Sequence, residues 1–209
     1  RALEGMDFDG LSQAGRIDYL LMKHRLEYRE KSLATDWRKL GEVAELLPFK
    51  DGVLELYESS RRREKLEPRA AAEKLAVLTK SVEELAGTIS GKEEEGKLVT
   101  TPVLALRAQK VLAELQRRLD GWYQFYAGFD PEFSWWAEEA QRELKSGLDE
   151  YVKVLGEVVS DGKKGDQAPL VGDPIGAVAL ADDLAVEMLA YSPEELLGIG
   201  EREFTWCRA

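Results

Sequence analysis

Residues 12–48, SQAGRIDYLLMKHRLEYREKSLATDWRKLGEVAELLP, decide how this chain folds. Ser12 is a suitable N-cap, and no proline interrupts the run until Pro48. Between them Ile17, Leu20, Leu21, Leu26, Leu33, Trp37, Leu40, Val43, Ala44 and Leu47 recur at helical spacing. The pattern predicts one long N-terminal helix that, at about 1.5 Å per residue, exceeds about 50 Å.

Working outward, proline and glycine divide the rest of the chain into further helices. Residues 49–65 predict a second helix. Pro68 suits the first turn of a third, which ends around Gly87 to Gly91. Thr101-Pro102 is a cap followed by a first-turn proline. Its helix carries Leu104, Val111, Leu112, Leu115 and Leu119 into the aromatic cluster Trp122, Tyr123, Phe125 and Tyr126. After a turn at Gly128 to Pro131, a fifth helix runs through Trp135, Trp136, Leu144, Leu148, Tyr151 and Leu155. Asp173-Pro174 is read as opening a sixth helix. Ser192-Pro193-Glu194-Glu195 forms a capping box with a proline start for a seventh. Exposed loops are expected near 88–101 and 160–173. No alternating strand segment and no fixed-period repeat interrupts the pattern. The expectation is an all-α fold, a bundle or array of about seven helices, with 1–209 as one helical region.

Composition bounds the function. Among 209 residues, 44% are hydrophobic and 33% charged, too apolar for a disordered chain. A formal net charge of −11 repels phosphate backbones and anionic lipid, so neither nucleic acid nor membrane is an expected partner. No stretch approaches the roughly 18–20 apolar residues of a membrane span. The single cysteine, Cys207, rules out an intramolecular disulfide and gives secretion no support, which favours a cytoplasmic setting. The opening Arg1-Ala2-Leu3-Glu4 has no initiator methionine, and the last helix has no closing Gly, Asn or Pro. These features lead us to expect an N-terminal fragment of a longer protein.

Chemistry-bearing motifs are scarce. His24 is the only histidine, flanked by Lys23 and Arg25, so a zinc ligand set would need ligands from outside the chain. A Ser-His-Asp or Cys-His arrangement would have to use this same residue, with no Gly-x-Ser-x-Gly elbow to accompany it. Asp161-Gly162-Lys163-Lys164-Gly165-Asp166 superficially resembles a calcium loop. Lys163 stands where an oxygen ligand is needed and the late Glu is missing. No phosphate-cradling loop is present. Glu83-Glu84, Glu138-Glu139 and Asp182-Asp183 are what any acidic helical surface supplies, although a two-carboxylate hydrolase remains one reading. Trp135 and Trp136 point in different directions on one helix, so one can pack inward while the other meets a partner or groove, but the favoured expectation is that both serve packing within the chain.

Three segments together resemble the bacterial and fungal domain-of-unknown-function 885 family. They are Phe8 to Leu21 (FDGLSQAGRIDYLL), Gly128 to Trp136 (GFDPEFSWW), and Asp173-Pro174-Ile175-Gly176 continuing through Tyr191 to Glu201. Their order and spacing are similar to the family's N-terminal half. Members of that family look like zincin-type metallopeptidases, helical proteins with a His-Glu-x-x-Pro-Gly-His motif in the C-terminal half. No such motif occurs here. The resemblance therefore implies a non-catalytic N-terminal half that shapes a substrate cleft completed by the C-terminal half of the same protein. A peptide would be the substrate and zinc the parent protein's cofactor, with no cofactor held by this chain. By analogy with helical zincins, Arg16, Asp18, Tyr19, Trp135 and Trp136 are the expected groove or interface residues. The alternative is a helical interaction or scaffold module, with a homodimer among its partners.

Overall fold

A computed structural model of the chain describes residues 3–90, 98, 100–163 and 169–208. Seven α-helices occur among these residues, and no strand: α1 (Gln13–Glu42), α2 (Lys50–Arg61), α3 (Pro68–Ser90), α4 (Pro102–Ala127), α5 (Pro131–Ser160), α6 (Ala177–Val186) and α7 (Pro193–Arg208). The all-α class and the long first helix are as the sequence predicts.

The chain divides into two compact units, one built from residues 1–40 and 174–209 and the other from 41–173. In the second unit, α5 packs along α3 and α4, and α4 also packs on α2. The α4 positions Ala105, Ala108, Leu112, Leu115, Leu119, Trp122 and Tyr126 are all buried and recur every three or four residues, so one stripe faces the core. Phe133, Ala137, Leu144, Leu148, Tyr151 and Leu155 form the matching stripe on α5. At the top of this core Trp122 and Phe133 meet edge to face, with ring centroids 5.4 Å apart.

Local signals set the helix starts. Thr101 Oγ1 accepts from the Leu104 amide at 3.3 Å. Asp130 Oδ1 accepts from the amides of Glu132 and Phe133, so both helices begin where their caps satisfy first-turn donors. The predicted capping box of α7 is formed in both directions: Ser192 N donates to Glu195 Oε2 at 2.7 Å and Glu195 N to Ser192 Oγ at 3.2 Å.

Several boundaries differ from the expectation. α1 has 30 residues, about 45 Å rather than more than 50 Å, because a 3₁₀ turn at Ala44–Leu46 follows it. That turn divides the apolar row read from the sequence. Val43 and Leu47 are buried in the second unit, whereas Ile17, Leu20, Leu21, Leu26, Leu33 and Trp37 are exposed. α6 starts at Ala177, not Pro174, because Gly176 adopts φ 91°, a left-handed conformation that excludes it from the helix. The first expected loop starts later than 88, since α3 continues through Ser90, and residues 91–97 and 99 lie outside the described residues. Residues 164–168, within the second expected loop and the calcium-loop-like segment, do as well.

Candidate functional site

The unit formed by 1–40 and 174–209 contains α1, α6 and α7, and none of these three helices has a buried residue. Its polar contacts lie along one face of α1. His24 Nε2 donates to the Ala185 carbonyl at 3.1 Å, Tyr28 Oη donates to Asp183 Oδ1 at 2.9 Å, and Lys31 Nζ donates to Asp182 Oδ1 at 2.5 Å. Positions 24, 28 and 31 share a face because they are separated by four and three residues. The Asp183 bond holds the Tyr28 phenol above its usual range, and the Asp182 bond raises the Lys31 ammonium in the same way. Beside the Tyr28 and Lys31 pairs lies a cavity of about 130 Å³ lined by Tyr28, Thr35, Asp36, Lys39, Ile175 and Asp182. His24 is therefore a structural donor in this contact.

Of the five groove residues suggested by resemblance, three lie at the start of α1. Arg16 donates to the Asp9 carbonyl, and its guanidinium lies 5.6 Å from the Phe8 ring. Tyr19 meets the same ring edge to face at 5.1 Å. Phe8, Arg16 and Tyr19 thus form a small aromatic–cationic cluster, and Asp18 is exposed beside it. Trp135 and Trp136 belong to the other unit. They contact each other edge to face at 4.8 Å, are 74% and 37% exposed, and Arg69 lies 5.7 Å from the Trp136 ring. Neither ring enters the core, so neither the favoured packing of both rings within the chain nor a division into one inward and one outward tryptophan is what the helix does.

The sequence reading missed two features. In the second unit, buried Arg107 of α4 donates through Nε to Asp173 Oδ1 at 2.7 Å and through Nη1 to Glu42 Oε2, while Lys110 Nζ donates to Asp173 Oδ2 at 3.1 Å. The bond to Asp173 is the main cause of its raised pKa. An arginine inside an apolar stripe could have flagged this node, but its acids lie more than 60 positions away on either side. In the first unit, an apolar groove of about 590 Å³ is lined by Leu180, Leu184, Leu196, Leu197, Glu201 and Phe204 of α6 and α7. The i, i+4 pairs 180/184 and 197/201 were legible, but which side would remain open was not.

Among the described residues no three His, Cys, Asp or Glu side chains converge to hold a metal ion. Among the same residues, no helix is long and apolar enough to cross a membrane. No protein-family model, curated protein or solved structure matches the chain.

Proposed function

We propose that this chain is the non-catalytic helical half of a zinc-dependent metallopeptidase-like protein, one wall of a substrate cleft completed by the polypeptide that carries the metal motif. The three segments resembling the domain-of-unknown-function 885 family support this reading. The observation that carries it is the surface of α1, α6 and α7, whose large apolar side chains include Trp37, Leu197 and Trp206, 70%, 68% and 76% exposed. Large apolar side chains left exposed on three helices without a buried residue support contact with another polypeptide. Zinc would be held by that polypeptide, and this chain would position a peptide.

The test is metal content and peptide hydrolysis of the parent protein beside residues 1–209. The parent should hold about one zinc per chain and cleave peptides, and residues 1–209 should do neither. A parent that stays metal-free after zinc-supplemented expression would end the enzymatic reading.

A second reading, a scaffold module without enzymatic role, draws on Phe129 and Trp135, 82% and 74% exposed on the other unit. It requires an oligomer or complex that weakens in Trp135→Ala. Sedimentation as an unchanged monomer in both forms would count against it.

A further inference from the structure

We infer that the groove between α6 and α7 docks an amphipathic helix with a basic flank, supplied by a polypeptide other than residues 1–209. The floor is apolar: Leu180, Leu184, Leu196, Leu197 and Phe204 line it, and Leu197 and Phe204 are 68% and 58% exposed. With 16 residues, α7 offers a track of about 24 Å, enough for three or four anchors at i, i+3/i+4 and i+7 spacing. A helix suits this floor because its own backbone hydrogen bonds are already made. Strand addition would need an unpaired sheet edge, and none occurs among the described residues.

Charge identifies the occupant. Glu201 lines the groove, and helical spacing puts Glu194 and Glu203 on either flank of the same face of α7, with Glu187 just beyond the end of α6; all four are exposed. The cations of α7 are Arg202, whose guanidinium reaches back toward Gly198, and Arg208, whose guanidinium lies 4.3 Å from the Phe204 ring at the end of the helix. Four carboxylates against two guanidiniums leave an acidic rim on a chain of net charge −11. A second copy seated here would bring two such rims together, and like charges facing each other across an interface disfavour that pairing. Lysine and arginine beside the occupant's apolar stripe complement the rim and favour its encounter at low salt. The groove is part of the surface on which the zinc reading rests, but the test below reads peptide binding alone, so its failure and the failure of that reading are distinguishable.

The test uses residues 1–209 and a labelled synthetic helix of roughly 18 residues, leucine at i, i+3, i+4 and i+7 and lysine elsewhere, followed by anisotropy. The control peptide keeps every leucine and replaces lysine by glutamate. The lysine peptide should bind at least about tenfold more tightly than the glutamate peptide. Phe204→Ala should weaken it by about tenfold, and so should the double change Glu194→Lys with Glu201→Lys, which also flattens the salt dependence. These positions are exposed, and circular dichroism would verify unchanged helix content. Equal affinity for both peptides, or unchanged binding in Phe204→Ala, would overturn the inference. Sedimentation showing a dimer that Leu197→Glu dissolves would overturn it in favour of a second copy.

Discussion

Tyr151 lies in the middle of α5 with none of its surface exposed, and its hydroxyl donates to the Leu46 carbonyl at 2.9 Å. This bond ties the 3₁₀ turn after α1 to the core of the second unit, while the ring meets Phe49 edge to face at 6.2 Å. Tyr151→Phe keeps the ring and leaves that carbonyl unpaired, so it should cost about 1–3 kcal/mol in chemical denaturation. Burial also raises the phenol above its ordinary value of 10.0. Below about pH 10 both folded and unfolded chains keep the proton, and the contribution is constant. Above it the unfolded chain ionises first, so stability falls as pH rises. Ultraviolet titration should find one of the seven tyrosines ionising only as far-UV dichroism is lost. In Tyr151→Phe that coupled step should disappear.

Among the helices, α5 shows best what the sequence could and could not reveal. Asp130-Pro131 announces its start, because an acceptor followed by a residue without an N–H suits a helix N-terminus whatever surrounds it. Asp130→Ala removes the acceptor for two amides and should cost about 0.5–2 kcal/mol, read from thermal or urea unfolding of the second unit. The same local logic made Thr101, Pro102 and the Ser192 box legible. It failed at Pro174, where Gly176 at φ 91° delays α6. It also failed along α1, where periodicity identified an apolar row without revealing what covers it. Periodicity is a property of one element, whereas burial depends on its neighbours. Of the candidate groove residues, Arg16 and Tyr19 do share a cluster through Phe8, although each was selected by resemblance. The Arg107 node was invisible because its partners come from distant parts of the chain.

Over the whole molecule, apolar burial is concentrated in residues 41–173, and the helices of the other unit have no buried residue. Local opening free energy follows buried contact density, so the two units should differ in amide exchange. Mass-spectrometric hydrogen exchange should show α4 and the centre of α5 protected longest, with α1, α6 and α7 exchanging earliest. Uniform protection across all seven helices would contradict this. Chain order adds a kinetic consequence. The bonds from His24, Tyr28 and Lys31 to α6 span 161, 155 and 151 positions, so they must close very long loops. Arg107 shortens that search, because it holds Glu42 and Asp173, the residues just inside the two boundaries, on one guanidinium. Once residues 41–173 have folded, the flanking segments emerge from neighbouring points, and a closure across most of the protein becomes a short-range one. The middle of the chain thus acts as an internal template whose formation makes it easier for the two ends to find each other.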